Sequence, residues 1–262
     1  MEPVIVTFVA IFALSLFFSM FGRGGGEFYL PTMISLLTIP FYKAAGVNLF
    51  LIFIQGLSMV LVYSLRNKLV DWAVALVMAV VVGTFAFSGG FFSHKVPDIY
   101  LKILFAVFLL VSAYYMLKNK AVKPVRGKFG VWHREFAGQS YDVNILYLVP
   151  PVALAAFVAG MVGISGCGLI VPLYILLGGV PMSIAMGTNT FLVLTSSSMS
   201  FIGHLLKGGV DWKLGLILGA AVLIGSQIGS RLHTKVSEKF LKVGFVVILI
   251  VAALWMIVKI FV

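Results

Sequence analysis

Residues 20–31 read Met-Phe-Gly-Arg-Gly-Gly-Gly-Glu-Phe-Tyr-Leu-Pro, and residues 161–172 read Met-Val-Gly-Ile-Ser-Gly-Cys-Gly-Leu-Ile-Val-Pro. Each stretch interrupts a long apolar run with a cluster of glycines and then reaches a proline. Gly22 and Gly163, Gly25 and Gly166, and Pro31 and Pro172 are all 141 positions apart. The same register carries Pro40 onto Pro181, Ala44 onto Ala185, Gly46 onto Gly187 and Asn48 onto Asn189. After one deleted position it carries Asp71-Trp72 onto Asp211-Trp212, Gly89 onto Gly229 and Leu101-Lys102 onto Leu241-Lys242. Apolar matches arise readily in such a chain, whereas matched Gly, Pro, Asn, Asp-Trp and Lys do not, so the sequence is an internal duplication.

The composition sets the solvent. Of 262 residues, 61% are apolar and 10% charged, and mean hydropathy is +1.14. A water-soluble domain is nearer half apolar and a quarter charged. Disorder and a disulfide scaffold are excluded, and the single Cys167 permits no internal disulfide. The net charge of +11 would suggest nucleic acid in a soluble chain. Here the basic residues fall in short gaps between apolar runs, where they set membrane orientation, so nucleic acid is not an expected partner. The expectation is an all-α polytopic membrane protein whose solvent is the lipid bilayer.

Ten apolar segments are marked: Val4–Phe21, Phe28–Leu37, Ala44–Leu65, Trp72–Phe87 and Ile99–Leu117, then Ile145–Val162, Leu169–Leu177, Ile184–Leu206, Trp212–Ile228 and Phe240–Ile260. Most approach the roughly 20 residues that cross about 30 Å of hydrocarbon. The second segment of each half is too short to do so as a straight helix. Val4–Phe21 has neither the basic start nor the cleavage site of a signal peptide and reads as a retained membrane segment. The expected organisation is a first membrane repeat over 1–117, a basic cytoplasmic linker over 118–144 and a second membrane repeat over 145–262. The linker reads as a solvated loop, with lipid headgroup binding as the alternative.

Two considerations orient the repeats. Gly22 to Gly26, if extended, covers about 16 Å, and a following twelve-residue helix adds about 18 Å, which together cross the core about once. Charge agrees. With the linker cytoplasmic and the copies inverted, 13 of the 19 Lys and Arg lie inside, against 11 for parallel copies. The expectation is two inverted-topology repeats of about five segments each, with broken or half helices at the glycine clusters and both termini outside.

Free backbone at membrane depth persists only where it is buried or lines a cavity. Paired interruptions at corresponding places in two halves are the strongest sequence pointer to a transporter site. Glycine lets successive amides turn toward one point, and the half-helix that follows offers unsatisfied N–H groups at its positive end. Two such starts would cradle a small anion. The candidate binding residues are Gly22, Arg23, Gly24, Gly25 and Gly26 in the first cluster and Gly163, Ser165, Gly166, Cys167 and Gly168 in the second. The third segments add Asn48 and Gln55, and Thr188, Asn189 and Ser196. Close helix packing is the competing reading of the glycines. The Asn pair is read toward the site, and the serine run Ser196–Ser198 toward packing.

Arg23 and Glu27 are one helical turn apart and able to pair. Arg23 either joins the site or sits at a cytoplasmic mouth, and Glu27 is the candidate proton relay. Asp71 and Asp211 read as helix N-caps. His94, His133, His204 and His233 are scattered, so no metal site is expected, and no catalytic motif or cofactor signature occurs.

The run Gly163-Ile164-Ser165-Gly166-Cys167-Gly168 through Pro172, followed by Ala185-Met186-Gly187-Thr188-Asn189, resembles the TauE/SafE sulfite exporter family of membrane permeases. The first copy, Gly22 through Pro31 and Ala44 through Asn48, supports the resemblance, which covers nearly the whole chain. It implies transport of sulfite or a small organosulfur anion and no enzymatic activity. Gly163, Ser165, Gly166, Gly168, Pro172, Thr188 and Asn189, with Gly22, Gly25, Pro31 and Asn48, carry the family pattern. Cys167 and Arg23 depart from it. A secondary transporter exporting the anion by alternating access is the leading expectation. A passive anion channel, or an importer of a sulfur-containing or carboxylate anion, is the alternative on the same scaffold. Lipid-facing small residues would allow a homo-oligomer.

Overall fold

The computed structural model describes residues 2–39, 41–92, 130–162, 164, 167–206, 210–235 and 237–261, with scattered residues between 100 and 117. Apolar sequence without water leaves the backbone to satisfy itself, and it does so mainly as helix. The helices are α1 (Glu2–Ser19), α2 (Gly26–Leu37), α3 (Phe41–Leu61, extended by a π-turn over Val62–Arg66) and α4 (Trp72–Phe92). After a β-hairpin come α5 (Ile145–Val162), α6 (Cys167–Leu176), α7 (Met182–Leu205), α8 (Trp212–Leu232) and α9 (Glu238–Phe261). Lys43–Arg66, Trp72–Phe92 and Trp212–Leu232 are each long and apolar enough to cross a membrane. Large apolar side chains point outward from these helices, with Val80 70% and Leu216 64% exposed, as lipid contact requires.

The short elements fall where the glycines are. Helix α2 has 12 residues and α6 has 10, or about 18 and 15 Å at 1.5 Å per residue. The chain between α1 and α2 is folded into a turn rather than extended as the sequence reading supposed. Gly22 N–H donates to the Ser19 carbonyl (3.2 Å) and Arg23 N–H to the Phe18 carbonyl (3.3 Å), with Gly22 at φ +60°. This is a Schellman closure, in which a left-handed glycine satisfies the last carbonyls of a helix. In the second half Ile164 N–H donates to the Ala159 carbonyl (3.0 Å), the same bond 141 residues on. The left-handed residues that follow the two short helices, Thr38 (φ 51°) and Gly179 (φ 62°), keep the same spacing.

The halves interlock rather than stand side by side. Helix α1 packs on α8, α5 packs on α4, and α3 lies against both α7 and α8. Glycines permit the closest approaches. A Cβ on Gly229 would overlap the Leu16 carbonyl of α1, and one on Gly89 would overlap the Phe157 carbonyl of α5. Gly89 and Gly229 are counterparts in the sequence register, and so are Leu16 and Phe157. One continuous apolar core runs through these crossings, from Ile11 and Phe18 through Leu51 and Met78 to Val193 and Ala221.

Two features depart from the expectation of an all-α chain joined by a solvated loop. Val131–Phe136 and Gln139–Asn144 form an antiparallel hairpin within the stretch read as linker. Its turn residues, Ala137 (φ 50°) and Gly138 (φ 72°), both have the positive φ of a type I′ turn, and the strand Val131–Phe136 alternates exposed with half-buried residues. Second, the hairpin is not merely solvated, because Tyr141 and Val143 are buried. Charged residues at positions such as His133 and Glu135 mask the period-2 alternation of this stretch.

Candidate functional site

The first glycine break collects buried polar groups. Arg23 is fully buried and Glu27 is 9% exposed, and the guanidinium Nη2 pairs with Glu27 Oε2 one helical turn along. Helix ends explain the arrangement. Arg23 follows the negative C-terminal end of α1, and Glu27 lies in the first turn of α2, at its positive end. Glu27 Oε1 has no hydrogen-bond partner among the described residues.

Gln55 of α3 holds the break in shape. Its Oε1 accepts from Gly25 N–H and from the Tyr29 hydroxyl, each at 2.9 Å. Its Nε2 lies 2.9 Å from Ser19 Oγ and 3.3 Å from the Arg23 carbonyl. One amide thus ties the end of α1, the glycine turn and the start of α2. Eight residues on, the Tyr63 hydroxyl lies 2.9 Å from the Ser19 carbonyl and 3.0 Å from the Met20 carbonyl, and it can donate to one at a time. His233 Nδ1 also approaches the Met20 carbonyl, at 2.7 Å. These partners satisfy carbonyls that the end of α1 leaves without intrahelical donors.

The second half reaches into this break. Asn189 Nδ2 donates to the Gly22 carbonyl at 2.8 Å. That donation assigns the amide orientation and leaves Asn189 Oδ1 without a partner among the described residues. A Cβ on Gly22 would overlap the Met186 carbonyl, so the break and α7 touch backbone to backbone. Asn48 is buried with its amide beside Gly26, where an added Cβ would come within 3.1 Å of Asn48 Nδ2. Gly24 is buried in the same turn.

Thr188 Oγ1 accepts the backbone N–H of Asp71 at 3.1 Å. Asp71 caps α4 through Oδ1, which accepts from Ala73 N–H and Val74 N–H, and Asp211 caps α8 by accepting from Leu214 N–H. Asp71 also receives Arg134 and Tyr141 from the hairpin. Burial works against its charge, but the hydrogen bonds from Arg134, Tyr141 and Val74 N–H prevail and hold its carboxyl below the usual range. Burial, reinforced by the Asp71 carboxylate, pushes the Tyr141 phenol up, so it stays a donor.

The sequence candidates therefore divide. Gly22, Arg23, Gly24, Gly25, Gly26, Glu27, Asn48, Gln55 and Asn189 come together. Ser196 Oγ donates to the Val193 carbonyl, and Ser197 likewise, within the turns of α7. Gly163, Ser165 and Gly166 lie outside the described residues. Cys167 and Gly168 begin α6, and their side-chain surroundings are likewise not described. Tyr29, Tyr63 and His233 were not read from the sequence. Tyr63 carried a signal, since it lies two turns beyond Gln55 on the same helical face. Among the described residues no three His, Cys, Asp or Glu side chains gather as metal ligands would.

The family model for the sulfite exporter TauE/SafE matches residues 7–256. The chain belongs to this family of membrane transporters. The probable membrane transporter protein YunE of Bacillus subtilis (strain 168) is 29% identical over 84% of this chain and 85% of its own length. A probable membrane transporter protein of Methanocaldococcus jannaschii is 24% identical over 94% of this chain and 92% of its own. Sulfite exporter TauE/SafE family protein 5 of Arabidopsis thaliana is 32% identical over 37% of this chain and 22% of its own. No solved structure gives a significant match. Family membership makes the chain a membrane transporter, with a small anion as the class of substrate.

Proposed function

We propose that this transporter exports sulfite or a related small organosulfur anion by alternating access, binding it at the two glycine breaks. The observation that carries the reading is the buried Arg23 beside the start of α2, enclosed by neutral amides from both halves. A helix start presents its first N–H groups without intrahelical acceptors, here those of Gly26 and Glu27. A guanidinium adds a planar fork suited to oxyanions. Asn48 and the second N–H of the Asn189 amide add donors without trapping the anion by full charge. Gln55 holds the break that presents these groups. Gly163, Ser165, Gly166, Cys167 and Gly168 supply the matching break, with Thr188 beside Asn189; Ser196 belongs to the packing of α7.

The paired closures 141 residues apart and the reciprocal Gly89–Phe157 and Gly229–Leu16 contacts support two repeats related by a pseudo-two-fold axis, and the distribution of Lys and Arg favours their inversion. In this reading the repeats span 1–117 and 145–262, the termini are outside, and the basic stretch over 118–144 is cytoplasmic. One helix group rocks against the other to open the site to each side in turn. An interior-negative potential drives anion efflux by about 2.3 kcal/mol per charge per 100 mV.

The test is counterflow of radiolabelled sulfite in proteoliposomes, with thiosulfate, sulfate and a short sulfonate as competitors. Saturable counterflow, weakened by Asn189→Ala and abolished by Arg23→Gln, is the expected result. Ion current without saturable exchange would make the protein a channel. No movement of any anion by correctly folded protein would reduce the glycines to packing.

A further inference from the structure

We propose that the first glycine break takes up a proton on Glu27 each time it binds an anion. This rests on the anion reading above and adds a coupled ion to it. Three observations carry it. Arg23 and Glu27 form an ion pair buried from solvent. Glu27 belongs to the first turn of α2, so its backbone is held by the helix and its side chain cannot withdraw far. Its Oε1 is buried without a hydrogen-bond partner among the described residues.

An anion arriving at Arg23 meets the Glu27 carboxylate already there. Two negative groups around one guanidinium in a water-poor site disfavour each other. Protonation of Glu27 removes that conflict, and it turns an unpartnered acceptor into a donor that can bond the incoming anion. Proton and anion then bind together with positive linkage, each raising affinity for the other by the same factor. The Glu27 carboxylate gains an O–H bond as hydronium or a buffer acid loses its proton, and no electrons change hands. A proton carried with the anion removes one charge from the electrically driven step.

Among the described residues, the groups gathered at this break leave little else to titrate. The break supplies Arg23, α3 supplies the neutral amides of Asn48 and Gln55, and α7 supplies that of Asn189. Tyr29 is on the same helix, with its hydroxyl bonded to Gln55. His233 packs against Tyr63, ring centroids 4.9 Å apart, at the Met20 carbonyl, and as an ionisable neighbour among the described residues it is tested separately.

The experiment is calorimetric binding of methanesulfonate and thiosulfate to the purified full-length chain, in buffers of differing protonation enthalpy. Neither anion changes its own charge near neutral pH, unlike sulfite. The wild type should take up about one proton per anion, and its affinity should fall about tenfold per pH unit above the pH at which Glu27 ionises. Glu27→Gln should bind with no proton uptake and, at about pH 8, more tightly than the wild type, because Arg23 then has no competing carboxylate. His233→Gln should keep the wild-type proton count. Anion binding without proton uptake, or uptake unchanged in Glu27→Gln, overturns the inference and leaves the anion site intact. Absence of binding by any anion overturns the anion reading and this inference with it. Should Glu27→Gln fail to fold, the wild-type proton count decides.

Discussion

Arg134 of the hairpin grips Asp71 with both arms of its guanidinium, Nε 3.0 Å from Oδ2 and Nη2 2.8 Å from Oδ1. Tyr141, directly opposite Arg134 in the strand register, donates to the same carboxylate at 2.6 Å. Cross-strand partners share a face, so one face of the hairpin closes on one carboxylate. Asp71 in turn caps α4, and its backbone N–H reaches Thr188, the neighbour of Asn189. A stretch between the two halves is thereby connected to the residue that touches the glycine break.

Arg134→Ala should lower stability by about 2 kcal/mol. It strips a buried carboxylate of its charged partner, although Tyr141 and the helix N–H groups stay and Arg134 itself is partly exposed. Arg134→Lys should recover only part of the loss, because an ammonium cannot fork. Unfolding of detergent-solubilised protein measures both, and a loss below about 0.5 kcal/mol would make the contact a surface ornament.

The hairpin anchor should be insensitive to pH across neutrality and weaken only in acid. A carboxyl held below its ordinary value adds stability that is present above the unfolded pKa, near 3.8, and lost as pH falls through the lower folded value. Trp132, which stacks under Arg134 at 4.9 Å, offers a fluorescence readout. A transition between pH 5 and 7 that Asp71→Asn removes would contradict this.

His133 should titrate above 6.5. Its hydrogen bond and charge interaction with Asp142, at 2.7 Å, favour the imidazolium, with Glu135 adding to them. Any contribution to the hairpin is therefore present below the unfolded pKa and lost as pH rises through the folded one. Asp142→Asn should return the midpoint toward the ordinary histidine value in an NMR titration.

Gly22→Ala and Gly138→Ala should differ sharply, although both sites have positive φ. At Gly138 nothing lies within 4 Å of an added Cβ, so only backbone strain remains, about 1 kcal/mol. At Gly22 the same strain is joined by overlap with the Met186 carbonyl, and the loss should exceed about 3 kcal/mol or prevent folding. Yield and melting temperature of the two variants make the comparison.

Gln55→Leu should cost about 2–6 kcal/mol and abolish anion exchange. It leaves Gly25 N–H and the Tyr29 hydroxyl as buried donors without their acceptor, each costing about 1–3 kcal/mol. A stable variant with normal counterflow would show that the shape of the break does not depend on this amide.

Much of the architecture could be read in one dimension because hydropathy, glycine and proline act locally. Ile145–Val162 agrees end to end with its helix, and Trp72 and Trp212 begin theirs as read. The Arg23–Glu27 pair and the two Asp caps were legible because their partners are within four residues. The hairpin was hidden by its charges.

The sequence by itself determined that the chain is helical and apolar enough for a membrane, and that the first break falls at Gly22–Gly26, since each follows from local composition and spacing. Only the tertiary structure decided that Asn189 crosses to the Gly22 carbonyl, that Gln55 is committed to the first break, and that the hairpin seats on Asp71. These bonds join residues 30 to 167 positions apart. Which polar group meets which at such separations is set by how helices cross, and the glycines at 89 and 229 fix those crossings by letting backbones touch.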